Sequence, residues 1–191
     1  MSINPFAQFP HIVTDEITLR KIEDSDLDSL FEIYSNENLF QYSPVMFKKN
    51  KDTVANMIGH FERDFHKRKE IFLGICLNSR PDSIVGVSEI FDFTQDVNMI
   101  TIGYRLNDRF WGKGIATKTV KAMSDYLFID IGINRIQAFV MPGNIKSQNV
   151  LIRNNFIKEG TIRQGHIWKG KGLIDLILFS RLRSDNNIGE F

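Results

Sequence analysis

Apolar positions along the chain change their spacing several times, and each change marks an element. From Ile17 to Lys21 apolar and polar residues alternate, the period of a half-buried strand. Leu27, Leu30, Phe31 and Tyr34 then recur at helical spacing behind Glu23, Asp24 and Ser25, which are N-cap candidates. The pattern breaks from Leu39 to Lys51 around Pro44. A second helix is predicted from about Asp52, with Val54, Met57, Ile58, Phe61 and Phe65 on one face; its last residues, His66 to Lys69, place cations at the negative end of the helix dipole. The β-rich runs Ile71 to Asn78 and Ser83 to Phe93 flank a turn signal, Ser79-Arg80-Pro81-Asp82, and read as an antiparallel hairpin. A third strand, from Met99 to Leu106, follows the polar turn Thr94 to Asn98.

The second half of the chain switches period again. A helix is predicted from about Gly114 to Ile129, with Ala116, Thr119, Val120, Met123 and Leu127 inward and Gly132 marking its end. The strand from Arg135 to Met141 is then expected to lie parallel to the Met99 strand, because a strand-helix-strand unit returns by a right-handed crossover. A short helix from about Ile145 to Asn154 precedes two strands, Phe156 to Gln164 and Leu173 to Leu182, joined by a glycine-bearing connection that contains His166 and Trp168. The expected fold is α/β: a single domain, residues 1–184, with a mixed, mostly antiparallel sheet flanked by helices. The tail, 185–191, is polar and expected to fray.

Composition narrows the function. With 191 residues, 42% apolar and 25% charged, the chain is long enough for one full core and ordinary for a soluble globular protein. A net charge of +1 provides no field to draw it to nucleic acid or to an anionic membrane, so neither is an expected partner. Cys76 is the one cysteine and sits in an apolar run, which fits a reducing compartment and a buried packing role. No run of 18 apolar residues occurs and the first ten residues lack a signal-peptide pattern, so the cytoplasm is expected. His11, His60, His66 and His166 have no ligand spacing among them, and no metal is expected.

The chemistry centres on Arg109-Phe110-Trp111-Gly112-Lys113-Gly114-Ile115-Ala116-Thr117, between a predicted strand and a predicted helix. A helix start carries unpaired N–H groups and the positive end of the dipole, and glycines let them approach a ligand, so the turn suits a pyrophosphate. It is not a P-loop, which needs Gly-x-x-x-x-Gly-Lys followed by Ser or Thr. A dinucleotide fingerprint fails too, because Thr117 stands where the third glycine belongs.

The remaining pattern, Arg109-x-x-Gly112-x-Gly114, resembles the signature of the GNAT superfamily of acetyl-CoA-dependent N-acetyltransferases. Downstream, Asn144, Ser147, Val150, Leu151, Phe156, Glu159 and Gly160 are similar to the run Asn-x-x-Ser-x-x-Val-Leu…Gly-Phe…Glu-Gly of the branch that acetylates ribosomal-protein N-termini and its relatives. The likeness covers nearly the whole chain, including Ile17 to Arg20 and Tyr42-Ser43-Pro44. It implies two central parallel strands that splay apart after a bulge and admit the pantetheine of acetyl-CoA. Carried over, the backbone of Ile102, Gly103, Tyr104, Arg105 and Leu106 binds pantetheine, while Arg109 to Thr117 hold the pyrophosphate. Asn144 and Asn149 join the cofactor site, and Ser147 lies near the sulfur. Asn144 and Ser147 also read as caps of the short helix.

Two departures matter. Many family members carry a tyrosine at the position of Leu151 as acid for the departing thiolate; here Ser147 or a bound water is expected instead. Asn155 stands where the pattern has glycine, which a left-handed conformation tolerates. Glu89 and Asp175 each share strand parity with apolar residues, so each is either a candidate for the base or a carboxylate at the solvated end of its strand; Asp175 also matches an aspartate of the branch, which favours it as a structural residue of the active site. Tyr42, Phe47, His166 and Trp168 are candidate walls for the acceptor. The expected acceptor is a primary amine, a peptide N-terminus ahead of lysine, since an α-amine near 7.7–8.0 is substantially neutral at cellular pH and a lysine near 10.4 is not. Near-neutral charge argues against a polyamine. Acetylation of a small-molecule amine and a non-catalytic acyl-CoA-binding module are the alternatives, and monomer and homodimer are both open.

Overall fold

The strands among the described residues join one sheet, where the backbone N–H and C=O groups of each find partners on its neighbours. The computed structural model describes residues 4–43, 45–168 and 170–186. Its strands are β1 (Ile12–Val13), β2 (Ile17–Lys21), β3 (Glu70–Leu77), β4 (Arg80–Thr94), β5 (Met99–Leu106), β6 (Arg135–Val140), β7 (Ile157–Trp168) and β8 (Gly172–Leu182). They lie in the order β1-β2-β3-β4-β5-β6-β8-β7. Neighbours are antiparallel except β5 and β6, which are parallel as the intervening helix requires.

Helices cover both faces. Helices α1 (Leu27–Ser35) and α2 (Lys51–His66) bury Leu30, Ile33, Tyr34, Val54, Ile58 and Phe61 against Cys76, Ile84 and Val87 of the sheet. On the other face α3 (Ile115–Asp125) buries Val120 and Met123 against Leu19, Leu73, Ile100, Ile102 and Ile136, and α4 (Ile145–Arg153) adds Leu151. Burying each large apolar side chain contributes roughly 1.5–3 kcal/mol, so the two clusters, not helix propensity, hold the layers.

Several elements differ from expectation for local reasons. The β3–β4 turn is tighter than Ser79 to Asp82, since Arg80 already pairs with Leu77. The central helix does not end as α-helix at Ile129: after Asp125 it widens into a π turn, Tyr126–Ile131, and stops at Gly132 with φ +82°. His166 and Trp168 do not sit in a connection. They belong to β7, which continues past a bulge where Gln164 has φ +52°. β1 escaped the pattern because two residues carry no period. Arg183–Asn186 forms a single turn, while Pro44 and residues 187–191 of the tail lie outside the described residues.

Candidate active site

β5 separates from one neighbour and keeps the other. With β4 it pairs over its whole length, from Met99 opposite Thr94 to Leu106 opposite Gly86. With β6 it pairs only through Met99, Ile100 and Thr101. At that last rung Gln137 Nε2 donates to Thr101 Oγ1 at 3.2 Å inside the core. Beyond it residues 102–106 present an edge with no strand beside it, and alternate N–H and C=O groups of such an edge are free to pair with an extended guest. The Leu106 carbonyl is already engaged, accepting from Trp111 Nε1 at 3.0 Å.

The bulge expected before this split is absent from β5. Pairing with β4 runs in unbroken register from Thr101 to Leu106, and the irregularity lies in β4, where Asp92 has φ +52°. Gly103 has a different reason to lack a side chain: a Cβ there would come within 3.3 Å of Glu89 Oε2.

Strand periodicity then sorts what β5 carries. Ile100, Ile102, Tyr104 and Leu106 face α3, whereas Gly103 and Arg105 face α1 and α2. On the α3 side Tyr104 Oη lies 3.0 Å from Ser147 Oγ at the start of α4. Burial pushes the Tyr104 phenol above its ordinary range, and the bond to Ser147 opposes this in part. Asn144 caps α4, its Oδ1 accepting from the Ser147 N–H at 3.2 Å.

At the end of β5 the chain turns into α3. Gly112 and Gly114 have φ +73° and +77°, and a Cβ built on either meets nothing within 4 Å. Backbone conformation rather than crowding selects glycine, since the left-handed region costs other residues about 1–2 kcal/mol. Helix α3 has no side-chain cap, and its first main-chain bond runs from Lys118 N to Gly114 O at 3.1 Å. Its opening N–H groups therefore face the space above the glycines with the positive end of the dipole behind them.

A cleft of about 1820 Å³ runs along the free edge, the glycine turn and the start of α4. Residues 102–106, Phe110, Trp111, Gly112, Gly114, Ile115, Ala116, Thr117, Asn144, Ser147 and Asn149 line it, as do Tyr42, Glu89 and His166. A split parallel pair beside a glycine turn is one observation; the match of residues 16–157 to the acetyltransferase (GNAT) domain is the deciding one. The chain belongs to the GNAT acetyltransferase family. It is 30% identical to the N-acetyltransferase p20 of Bacillus licheniformis over 91% of this chain and 97% of that one. It is 26% identical to the ribosomal protein uS5 alanine N-acetyltransferase of Escherichia coli, covering 78% and 79%. Its fold matches the microcin self-immunity acetyltransferase MccE, a structure in complex with acetyl-CoA and AMP, with a TM-score of 0.77 at 24% identity over 95% and 98% of the chains.

This acetyltransferase differs from expectation mainly around its acceptor wall. On the α1/α2 side, Glu89 Oε1 lies 3.5 Å from Arg105 Nη1. The same guanidinium lies 4.6 Å from the Phe40 ring centre and 5.2 Å from that of Tyr34, and donates to Ser43 Oγ at 3.2 Å. Arg105 thereby ties the segment after α1 to β5. Tyr42 from that segment crosses to the opposite wall, so close that a Cβ on Gly143 would come within 3.1 Å of its ring. Asp64, Glu70 and Asp92 also line the cleft with Glu89. Burial first, then the charges of Glu89, Asp64 and Asp92, raise the Glu70 carboxyl above its ordinary value. The expectation of near-neutral surroundings rests on Tyr42, Phe47, His166 and Trp168, of which Tyr42 and His166 line the cleft together with these carboxylates. No spacing in the sequence joins these four carboxylates, which come from α2, β3 and β4.

Other expected site residues lie outside the cleft walls. Asp175 is exposed, and its Oδ1 accepts from the Gln164 N–H at 2.8 Å, so it fastens the β7 bulge. It shares a face with buried Ile177 and Phe179, as parity required, but that face opens to solvent toward Leu173. Phe47 packs on the α1/α2 core, and Trp168 lies under Lys171 Nζ at 3.6 Å. Arg109 turns out to Glu32 at 3.4 Å and Lys113 sits over Phe110 at 5.2 Å. Among the described residues, no group of three or more His, Cys, Asp or Glu could hold a metal ion, and no helix is long and apolar enough to cross a membrane.

Proposed function

We propose that this acetyltransferase moves the acetyl group of acetyl-CoA to the free α-amine of a peptide or protein N-terminus, by direct attack while both are bound. The observation that carries the reading is the parting of β5 from β6 after Thr101, which opens a main-chain edge inside one continuous cleft. Pantetheine pairs with residues 102–106 as a guest strand. The N–H groups of the glycine turn and of the start of α3 hold the pyrophosphate, with Asn144 and Asn149 on the facing wall.

The amine nitrogen attacks the thioester carbonyl carbon from the Glu89 side of β5. Glu89 takes its proton directly or through water, held by Arg105, and a main-chain N–H of the free edge stabilises the oxyanion. On the other side of β5 the C–S bond breaks, and Ser147 faces the leaving thiolate. Asp175 has no part in this chemistry. The name of the uS5 alanine acetyltransferase supports an N-terminal acceptor, as does the lower basicity of an α-amine.

The acidic set of Asp64, Glu70, Glu89 and Asp92 favours a second reading, a small amine that carries further positive charge. One competition experiment separates them: a peptide with a free N-terminus and no lysine, an N-terminally blocked peptide with one lysine, and spermidine, with acetylation followed by mass spectrometry. The N-terminal reading expects the first to dominate. Preference for the blocked peptide or for spermidine contradicts it and leaves acetyl transfer standing.

A further inference from the structure

Leu151, which the family resemblance makes the counterpart of a tyrosine, is buried in the core with nothing to donate. A different tyrosine reaches the same region from another element. Tyr104 stands on β5, its ring packed on the α3-side core, and its hydroxyl comes to 3.0 Å from Ser147 Oγ across the cleft. A hydroxyl has one hydrogen to give, so the direction of this bond decides what Ser147 can do. If Tyr104 donates, the Ser147 hydrogen is free to point into the cleft. If Ser147 donates, that hydrogen is spent on Tyr104.

We infer that Tyr104 is a positioning residue for acetyl transfer: its hydroxyl donates to Ser147 Oγ and turns the Ser147 O–H toward the thioester sulfur. The inference rests on the reading of Ser147 above. Two observations and the cooperativity of hydrogen-bonded chains fit this direction. Burial holds the phenol protonated through neutral pH, so it always has a hydrogen to offer. The Ser147 main-chain N–H is taken by Asn144 Oδ1, which fixes the first turn of α4 and with it the place of the hydroxyl. A donor that is itself an acceptor is polarised, so the chain Tyr104 to Ser147 to sulfur is stronger than Ser147 alone.

The step balances without ionising Tyr104. The amine lone pair forms the C–N bond and the C–S bond breaks with its electron pair leaving on sulfur. The Ser147 hydrogen bond stabilises that charge as it develops. One proton leaves nitrogen for Glu89 or water, and one arrives on sulfur from solvent, giving amide and thiol. Tyr104 keeps its own proton throughout.

The test is a double-mutant cycle of Tyr104→Phe and Ser147→Ala, with kcat, the acetyl-CoA KM and the melting temperature measured for each. Phenylalanine keeps the ring and its packing. The inference expects Tyr104→Phe to lower kcat about tenfold with KM and melting temperature little changed, because the bond acts on the leaving group alone. Ser147→Ala lowers kcat more, and the double mutant is no slower than Ser147→Ala, since Tyr104 has nothing left to position. Normal kcat in Tyr104→Phe, or two losses that multiply in the double mutant, overturns the inference while Ser147 keeps its role. Normal kcat in Ser147→Ala overturns the underlying reading instead.

Discussion

The two ends of the cleft are built from different materials. The end proposed to hold the phosphates is main chain: two left-handed glycines, an uncapped helix start and a strand edge without a neighbour. The end proposed to take the acceptor is side chain: Glu89, Arg105, Tyr42, Asp64, Glu70 and Asp92, delivered by five separate segments. A main-chain site is fixed by a few residues close together in sequence, and its tolerance of substitution is set by φ. A side-chain site depends on which residues the fold happens to bring together, and its tolerance is set by charge and packing.

That contrast can be broken at either end. The largest effect is expected at Glu89: Glu89→Gln should lower kcat by about a hundred- to ten-thousandfold at neutral pH, the range for a general base, with CoA affinity unchanged. Stopped-flow turnover alongside calorimetry checks both. Gly114→Asp should do the opposite, weakening CoA by roughly a hundredfold or more through like charge at the helix start and a side chain in the open space over the turn. Calorimetry with CoA against phosphate-free pantetheine shows whether the loss is confined to the phosphates; equal loss for both ligands would argue that the turn is only structural.

Arg105→Lys sharpens the acceptor side. A lysine keeps the charge but cannot lie over both the Tyr34 and Phe40 rings while bonding Ser43, so the acceptor KM should rise about three- to tenfold, within the 0.5–2 kcal/mol of a cation–π contact. The acetyl-CoA KM should hold.

The smallest effect is on stability. Glu70 has a folded-state pKa above its ordinary value of 4.5, so its charged form is the costly one. The cost is absent below about 4.5 and grows as pH rises through the folded pKa. Glu70→Gln should therefore raise the melting temperature by a few degrees at pH 8 and leave it unchanged at pH 4. A loss at pH 8 would mean that Glu70 is held by an attraction rather than by burial among carboxylates.

The same contrast explains what the sequence disclosed. The parallel return of β6 followed from the period change between Leu106 and Arg135, and the turn followed from Gly112 and Gly114, because both are local. Glu89 was reachable by parity, although the β-bulge between the rungs of Ile84 and Gly86 places Val85 on the opposite face. Asp175 had the same signature and stands where its face opens to solvent, since parity says which face a residue takes and not where that face ends. Tyr104 was read for its backbone; only the meeting of β5 with α4 gives its hydroxyl a partner 43 residues away. The convergence of Asp64, Glu70 and Asp92 on Glu89 left no trace, because the four share no periodicity and the whole-chain charge averages them away.

The central claim is that acetyl-CoA lies along the free edge of β5 and over the turn into α3. Hydrogen exchange measured with and without acetyl-CoA tests it directly. Slowed exchange in peptides covering residues 102–106 and 112–117, extending at most to the facing start of α4, is the expected result; unchanged exchange there, with protection at another surface, would contradict it.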